Sequence, residues 1–159
     1  MEKNQSLNEE KEQKNTNFDC VLLIDDDEIT NFINKDILSN LEISESIETT
    51  NNIEDALLYI KTCYLPDKEV KSLFIILDLV MPESDGFDFL DALNFQTGIL
   101  KNKIDIIILT NSLDAVNKER AEKYNILDYV LKPLTQEKIK QSLQKKAEKL
   151  RTEKTASRN

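Results

Sequence analysis

The sequence predicts an α/β domain in which helices cover both faces of a mostly parallel β-sheet. Short apolar runs, each long enough for one buried strand, alternate with segments whose apolar residues recur at helical spacing. The 159 residues include only 2 glycines and 3 prolines, too few for the many turns of an all-β protein. Five strands alternating with five helices is the pattern of an α/β fold, and right-handed crossovers place the helices on both faces.

The first and third predicted strands are continuous apolar runs, as expected of strands that are covered on both faces. Most of the predicted strands are followed at once by a polar residue. In chain order the strands are Cys20–Ile24, a short strand near Ser44–Thr49, Leu73–Leu77, Ile104–Leu109 and Leu127–Leu131.

The predicted helices have apolar residues three or four positions apart. The first carries Ile29, Phe32, Ile33, Ile37 and Leu41; the second Ile53, Ala56, Leu57, Ile60 and Cys63; the third covers Phe87–Leu93; the fourth covers about Leu113–Tyr124; and the fifth, from near Thr135, carries Ile139, Leu143, Ala147 and Leu150. At the start of the fifth helix Thr135 has the place of a capping residue. Lys138 stands where a capping box has an acidic side chain.

Both ends of the chain are predicted to lie outside the folded domain. Residues 1–17 contain only Met1 and Leu7 as apolar side chains, a composition typical of disorder. We therefore expect a disordered tail at 1–17, one domain at 18–150 and a flexible tail at 151–159.

The charge distribution argues against general binding to nucleic acid. The net charge is −9. Residues 132–159 hold nine Lys or Arg against three Glu, which leaves −15 on the rest of the chain. Because an acidic body repels phosphates, we expect no nucleic-acid partner.

Residue usage excludes further classes of function. Histidine is absent from the sequence, which excludes Ser-His-Asp and Cys-His nucleophile systems and histidine-ligated zinc. No apolar stretch has the length that a membrane span needs, and the N-terminus is too polar for a secretory signal. We therefore expect a cytoplasmic protein without a membrane partner.

Polar residues follow four of the five predicted strands. Asp25 and Asp26 follow the first strand, Asp78 the third, Thr110 the fourth and Lys132 the fifth. In parallel sheets, ligands bind outside the carboxyl ends of the strands. These side chains are therefore predicted to meet in one cleft.

The chemistry of this cleft points to phosphoryl transfer. Three neighbouring carboxylates raise one another's pKa values unless a cation offsets them, and Mg²⁺ prefers carboxylates, water and phosphate oxygens. Asp78 can attack phosphorus to form an acyl phosphate. Lys132 and Thr110 can then contact the phosphoryl oxygens.

Four segments carry a resemblance to a known family. They are VLLIDDDE (21–28), LDLVMPESDGFDFL (77–90), IIILTNS (106–112) and DYVLKPLT (128–135). From about Cys20 to Leu150 the chain resembles the response-regulator receiver domain of two-component signalling. The resemblance implies a doubly wound, flavodoxin-like sheet of five parallel strands in the order 2-1-3-4-5.

The resemblance also implies a role for each acidic residue of the cleft. Asp78 would be the phospho-acceptor. Asp26, Asp78 and the backbone carbonyl of Val80 would bind Mg²⁺ directly, and Asp25 would act mainly through water.

By the same resemblance, Thr110 would be the switch hydroxyl and Lys132 the lysine that pairs with the phosphoryl group. Tyr129 would turn inward on phosphorylation, although an ordinary half-buried strand aromatic explains this residue nearly as well. Asn111 departs from the family pattern, in which a small residue is usual after the switch hydroxyl, and could narrow access to the site.

A receiver domain is a phospho-acceptor signalling protein rather than an enzyme. Its donor would be a histidine kinase or a phosphotransfer protein, docking on the polar face of the first helix with Asn31, Asn34 and Lys35. Only one helix and a short polar tail follow Lys132. We therefore expect a stand-alone, chemotaxis-regulator-like monomer that signals to a downstream protein by contact.

The sequence leaves two alternative functions open. The first is an enzyme of the haloacid-dehalogenase type, because Asp25-x-Asp27 fits its D-x-D motif and Thr110 its strand-ending threonine. That family needs an acidic pair after its lysine, and only Glu137 follows Lys132 closely. The second is a receiver-like domain that regulates by contact without phosphorylation. Such domains usually lack an acidic or lysine residue of the site, and none is lost here.

Overall fold

The computed structural model describes residues 18–63, 72–96 and 101–157. The predicted tail at 1–17 lies outside these residues, as do the last two residues of the predicted tail at 151–159. Within the remainder of that C-terminal tail the last helix continues to Ala156, and the flexibility of the tail stays a prediction. The apolar stripe ends near Leu150, but residues such as Lys, Glu and Arg continue a helix without any burial.

One sheet of five parallel strands forms the centre of the protein. Its order is β2-β1-β3-β4-β5, which confirms the predicted order. The strands are β1 (Cys20–Ile24), β2 (Ile47–Thr50), β3 (Leu73–Asp78), β4 (Ile104–Thr110) and β5 (Asp128–Leu131). In the register of the sheet Ile24 lies beside both Thr50 and Leu77, and Thr110 lies beside Leu131. The carboxyl ends of the strands therefore meet at one edge.

Within the described residues, five α-helices connect and follow the strands. They are α1 (Glu28–Asn40), α2 (Ile53–Cys63), α3 (Gly86–Phe95), α4 (Ala115–Ala121) and α5 (Gln136–Ala156), and a 3-10 turn at Lys101–Lys103 precedes β4. The side chains of Asp27, Asp85, Asp114 and Thr135 accept backbone N–H bonds and cap α1, α3, α4 and α5. None of the helices in the described ranges combines the length and apolar character that crossing a bilayer requires.

Each face of the sheet has its own hydrophobic core, because alternate residues of a strand point to opposite faces. On one face Leu22 and Ile24 of β1 pack with residues of α2, α3 and α4. On the other face Val21 and Leu23 pack with residues of α1 and α5, among them Ile139. Helices thus cover both sides, and the predicted doubly wound arrangement is confirmed.

The orientation of α1 differs from the prediction. Asn31 and Asn34, expected on an exposed polar face, are buried, whereas Ile29, Phe32 and Ile33 are exposed. The Asn31 amide donates to the carbonyl oxygens at the ends of β1 and β2, at 2.8 Å and 3.2 Å. Asn31 thereby donates to buried backbone carbonyl oxygens, a contact that an apolar side chain at this position could not make.

Candidate functional site

The predicted acidic cluster lies at the carboxyl edge of the sheet. Asp25 directly follows β1, and Asp78 is the last residue of β3, the strand beside it. Each of Asp25, Asp26 and Asp78 offers a carboxylate oxygen within 4.8 Å of the others. Asp25 and Asp78 are buried, whereas Asp26 is exposed. The cluster therefore has a buried base and one side open to solvent.

Lys132 closes the cluster from the opposite side. Its Nζ atom lies 2.7 Å from Oδ2 of Asp25 and 3.1 Å from Oδ2 of Asp78. Its backbone N–H donates to the carbonyl oxygen of Thr110 at 2.7 Å, which extends the pairing of β4 and β5 by one residue. The lysine is thereby tied to the sheet at its backbone and to both carboxylates at its tip.

Burial and charge act in opposite directions on the groups of this cluster. Burial raises the pKa of Asp78, and the negative charge of Asp25 raises it further. The positive charge of Lys132 lowers this pKa, but the net result is still a raised value. For Lys132, burial favours the neutral amine, but its contacts with Asp25 and Asp78 outweigh burial and raise its pKa. The site therefore favours the charged form of Lys132 and disfavours the ionised form of Asp78.

The donor set fits a hard divalent cation. Three carboxylates face a single ammonium group, so the cluster retains an excess of negative charge that a divalent ion would balance. Mg²⁺ takes carboxylates together with several waters, and the exposed side of Asp26 leaves room for water. The structure thus brings together the three predicted metal-ligating carboxylates and Lys132.

The loop after Asp78 folds back on β3. Val80 donates its N–H to Oδ1 of Asp78 at 3.2 Å, and Gly86 donates its N–H to the Leu79 carbonyl oxygen at 2.9 Å. A Cβ atom at Gly86 would lie 2.8 Å from the Asp78 carbonyl oxygen, so only glycine fits this approach. Val80 therefore lies next to Asp78, and the use of its carbonyl as a metal ligand stays a prediction.

The two predicted switch residues do not contact the acidic cluster. The Thr110 hydroxyl donates to the Ser112 carbonyl oxygen at 2.9 Å and so points into the loop after β4. Tyr129 is half-buried, and its hydroxyl oxygen is buried without a hydrogen bond to any described residue. Burial raises the pKa of Tyr129, and the nearby Thr110 side chain opposes this. Both hydroxyls thus lie in one region beside the site.

Two acidic residues near the site act as helix caps. Asp27 accepts N–H bonds from Ile29 and Thr30 at 2.8 Å and 3.3 Å. These bonds lower the pKa of Asp27. Asp85 accepts from the Phe87 N–H at 2.9 Å within a capping box. Asp27 is therefore not directed at the cleft, which removes one half of the D-x-D pattern weighed above.

Comparison with known proteins decides the family. Residues 21–144 match the family model described as the response regulator receiver domain. The chain belongs to the response-regulator receiver family. Membership of the receiver family excludes the haloacid-dehalogenase alternative. It also accounts together for the acidic cluster, the position of Lys132 and the order of the strands.

Curated relatives of this receiver domain include longer regulators. The chain is 30% identical over 125 residues to the probable C4-dicarboxylate response regulator DctR of Bacillus subtilis, covering 79% of this chain and 50% of the relative. It is 25% identical over 123 residues to the transcriptional regulatory protein DcuR of Escherichia coli, covering 77% and 48%. The chain spans about half the length of these relatives. They give no support to the expectations of a stand-alone protein and of no nucleic-acid partner.

Solved structures show the same fold. A two-component response regulator from Cytophaga hutchinsonii has a TM-score of 0.70 and 30% identity, covering 80% of this chain and 96% of that one. The chemotaxis protein CheY4 of Vibrio cholerae has a TM-score of 0.65 and 23% identity, covering 80% and 97%. The second comparison shows the fold alone.

Proposed function

We propose that Asp78 accepts a phosphoryl group from a histidine kinase or a phosphotransfer protein when Mg²⁺ is bound. The observation that carries this proposal is the position of Lys132, whose ammonium bridges Asp25 and Asp78 at the open end of the sheet. A lysine between two buried carboxylates is placed to exchange one carboxylate contact for a phosphoryl oxygen as negative charge is added.

Each step of the transfer can be assigned to residues of the chain. A carboxylate oxygen of Asp78 forms the new bond to phosphorus while the bond from phosphorus to the donor nitrogen breaks, and the donor keeps that electron pair. Asp25 and Asp26 would hold Mg²⁺ with Asp78 and the Val80 carbonyl. The metal would neutralise charge on the incoming phosphoryl oxygens.

The resting contacts suggest how the signal leaves the site. Thr110 would exchange its bond to the Ser112 carbonyl for one to a phosphoryl oxygen. That movement would change the surroundings of the Tyr129 hydroxyl, which has no hydrogen bond to a described residue in the resting arrangement. Phosphorylation thereby biases a two-state element by a local charge.

The exposed apolar face of α1 supports docking of the phosphoryl donor. Ile29, Phe32 and Ile33 are 71%, 75% and 52% exposed, and α1 begins three residues after the acidic Asp25. Exposed apolar groups that lie together mark interaction surfaces. Docking therefore depends on this apolar face rather than on the polar face predicted from the sequence.

Mass spectrometry after incubation with acetyl phosphate and Mg²⁺ tests the proposal. We expect a single phosphoryl adduct on the wild-type chain, none on Asp78→Asn, and an unchanged adduct on Asp114→Asn, because Asp114 lies at the start of α4 and outside the acidic cluster. Absence of an adduct on the wild type would instead support the alternative of regulation by contact without phosphorylation.

The output of the domain is proposed to be a protein contact. A stand-alone monomer is the simplest arrangement for this output, and it can be tested by size-exclusion chromatography with light scattering, with and without beryllofluoride. A mass that doubles with beryllofluoride would show that phosphorylation drives dimerisation, and would contradict the monomer.

A further inference from the structure

We infer that Lys138 is a positioning residue that holds the backbone on both sides of Lys132, an inference that rests on the proposed function. Its Nζ atom donates to the carbonyl oxygen of Leu131 and to that of Pro133, each at 2.8 Å. These are the two residues that flank Lys132 in the chain. One side chain thus bonds to the carbonyl oxygens of the residues on either side of the lysine that bridges Asp25 and Asp78.

The position of Lys138 in α5 is unfavourable on local grounds. Thr135 caps the helix, and its hydroxyl accepts the N–H of Lys138 at 3.2 Å. The first turn of a helix carries partial positive charge, which favours acidic side chains and disfavours cations. A capping box would place Glu or Gln here. The contacts of the ammonium group with two carbonyl oxygens offset this disadvantage.

The loop between β5 and α5 is anchored by the buried side chain of Leu134 and by the contacts of Lys132, and Lys138 adds bonds to its backbone carbonyl oxygens. Only residues 132–135 connect β5 to α5. Lys132 turns its own N–H toward β4, where it bonds to Thr110. The Leu131 carbonyl belongs to the same trans peptide as this N–H and therefore points away from β4. β5 is an edge strand, so no further strand supplies a donor, and Lys138 takes that place.

Removal of these two bonds should weaken contacts with the phosphoryl group and leave metal binding intact. Lys132 approaches the site from the loop, whereas the metal-ligating carboxylates come from other strand ends. A small displacement of a positioned charge is costly in a reaction that depends on geometry. Both bonds are accessible to water, so the expected loss is modest.

Four proteins test the inference: the wild type, Lys138→Met, Lys138→Arg and Lys140→Met. Lys140 is exposed and two positions further along the same helix, so its replacement removes the same charge as a matched control. Affinity for beryllofluoride at saturating Mg²⁺ is followed by fluorine NMR, and affinity for Mg²⁺ alone by calorimetry. We expect Lys138→Met to bind beryllofluoride about fivefold more weakly with Mg²⁺ affinity within about twofold of wild type. Lys138→Arg and Lys140→Met should behave as wild type.

Three results would overturn the inference. The first is wild-type beryllofluoride affinity in Lys138→Met. The second is an equal loss of Mg²⁺ and beryllofluoride affinity together with a lower melting temperature, which would show a general structural role. The third is an equal loss in Lys140→Met, which would show an effect of charge alone. Failure of the wild type itself to bind beryllofluoride would overturn the proposed function. The measurement on the wild type therefore separates that outcome from failure of the inference about Lys138.

Discussion

Lys132 donates a 2.7 Å hydrogen bond from Nζ to Oδ2 of Asp25, although 107 positions separate the two residues. The same ammonium lies 3.1 Å from Asp78. One cation thus offsets two buried carboxylates that would otherwise repel each other across neighbouring strands. This relationship joins the stability of the resting domain to the chemistry of the site.

Replacement of Lys132 by Met should destabilise the domain and strengthen its binding of Mg²⁺. Loss of one partner leaves buried charge uncompensated, so the free energy of unfolding should fall by about 3 kcal/mol. The metal then becomes the only cation offsetting Asp25 and Asp78, and its affinity should rise several-fold. Urea denaturation and calorimetric titration measure the two effects. Lys140→Met is the control, and an unchanged or weaker Mg²⁺ affinity in Lys132→Met would contradict the expectation.

Asp78→Asn should stabilise the metal-free domain at neutral pH. Because burial raises the pKa of Asp78, the folded state holds this proton more tightly than the unfolded state, and ionisation above that pKa lowers stability. The variant should gain about 1 kcal/mol near pH 7. The gain should vanish as pH falls toward the ordinary carboxyl pKa of 3.8.

Denaturation in EDTA across this pH range measures the difference, and Asp114→Asn serves as a control for loss of an acidic charge. Added Mg²⁺ should stabilise the wild type more than Asp78→Asn, since the wild type has the complete ligand set. A gain that is equal at all pH values would show that ionisation of Asp78 is not its cause.

Gly86→Ala should destabilise the domain and disturb the site. The new Cβ atom would lie 2.8 Å from the Asp78 carbonyl oxygen and 2.9 Å from the Leu79 Cα atom, and both are backbone atoms. Relief of this overlap requires a shift of the loop after Asp78, at a cost of about 1–3 kcal/mol. Urea denaturation measures the loss, and adduct formation from acetyl phosphate should slow in parallel. A wild-type free energy of unfolding together with a wild-type rate of adduct formation would show that the loop accommodates the added methyl group without strain.

Phe32→Asp should impair transfer from a protein donor without affecting the site. Phe32 is 75% exposed on α1, so its replacement should leave the melting temperature and the reaction with acetyl phosphate unchanged. Transfer from a histidine kinase should slow by about tenfold, because an exposed aromatic residue is typical of binding hot spots. Leu58→Asp is the matched control, since Leu58 is 61% exposed on α2. Equal slowing in both variants would place the docking surface elsewhere.

Most of the fold could be predicted from the order of apolar patterns along the chain. The ends of the elements were predicted less accurately. Strand β2 begins at Ile47 rather than near Ser44, and helix α4 is shorter than the periodic segment that predicted it. Helix α5 passes Leu150 because intrinsic helix preference does not require burial. Apolar periodicity indicates which residues are buried, but it does not indicate at which residue the backbone hydrogen bonds of a helix or strand end.

The sequence by itself determined the sheet and the identity of the residues at its carboxyl edge, because strand ends are local features and parallel strands bring them together. Tertiary structure alone decided their contacts. It turned Thr110 toward Ser112, and it placed Asn31 against the ends of β1 and β2, so that the apolar residues of α1 face outward. It also set Lys138 against the carbonyls beside Lys132. Each of these contacts depends on the direction that a side chain takes once the strands have paired and the helices have packed, and the order of residues alone does not give that direction.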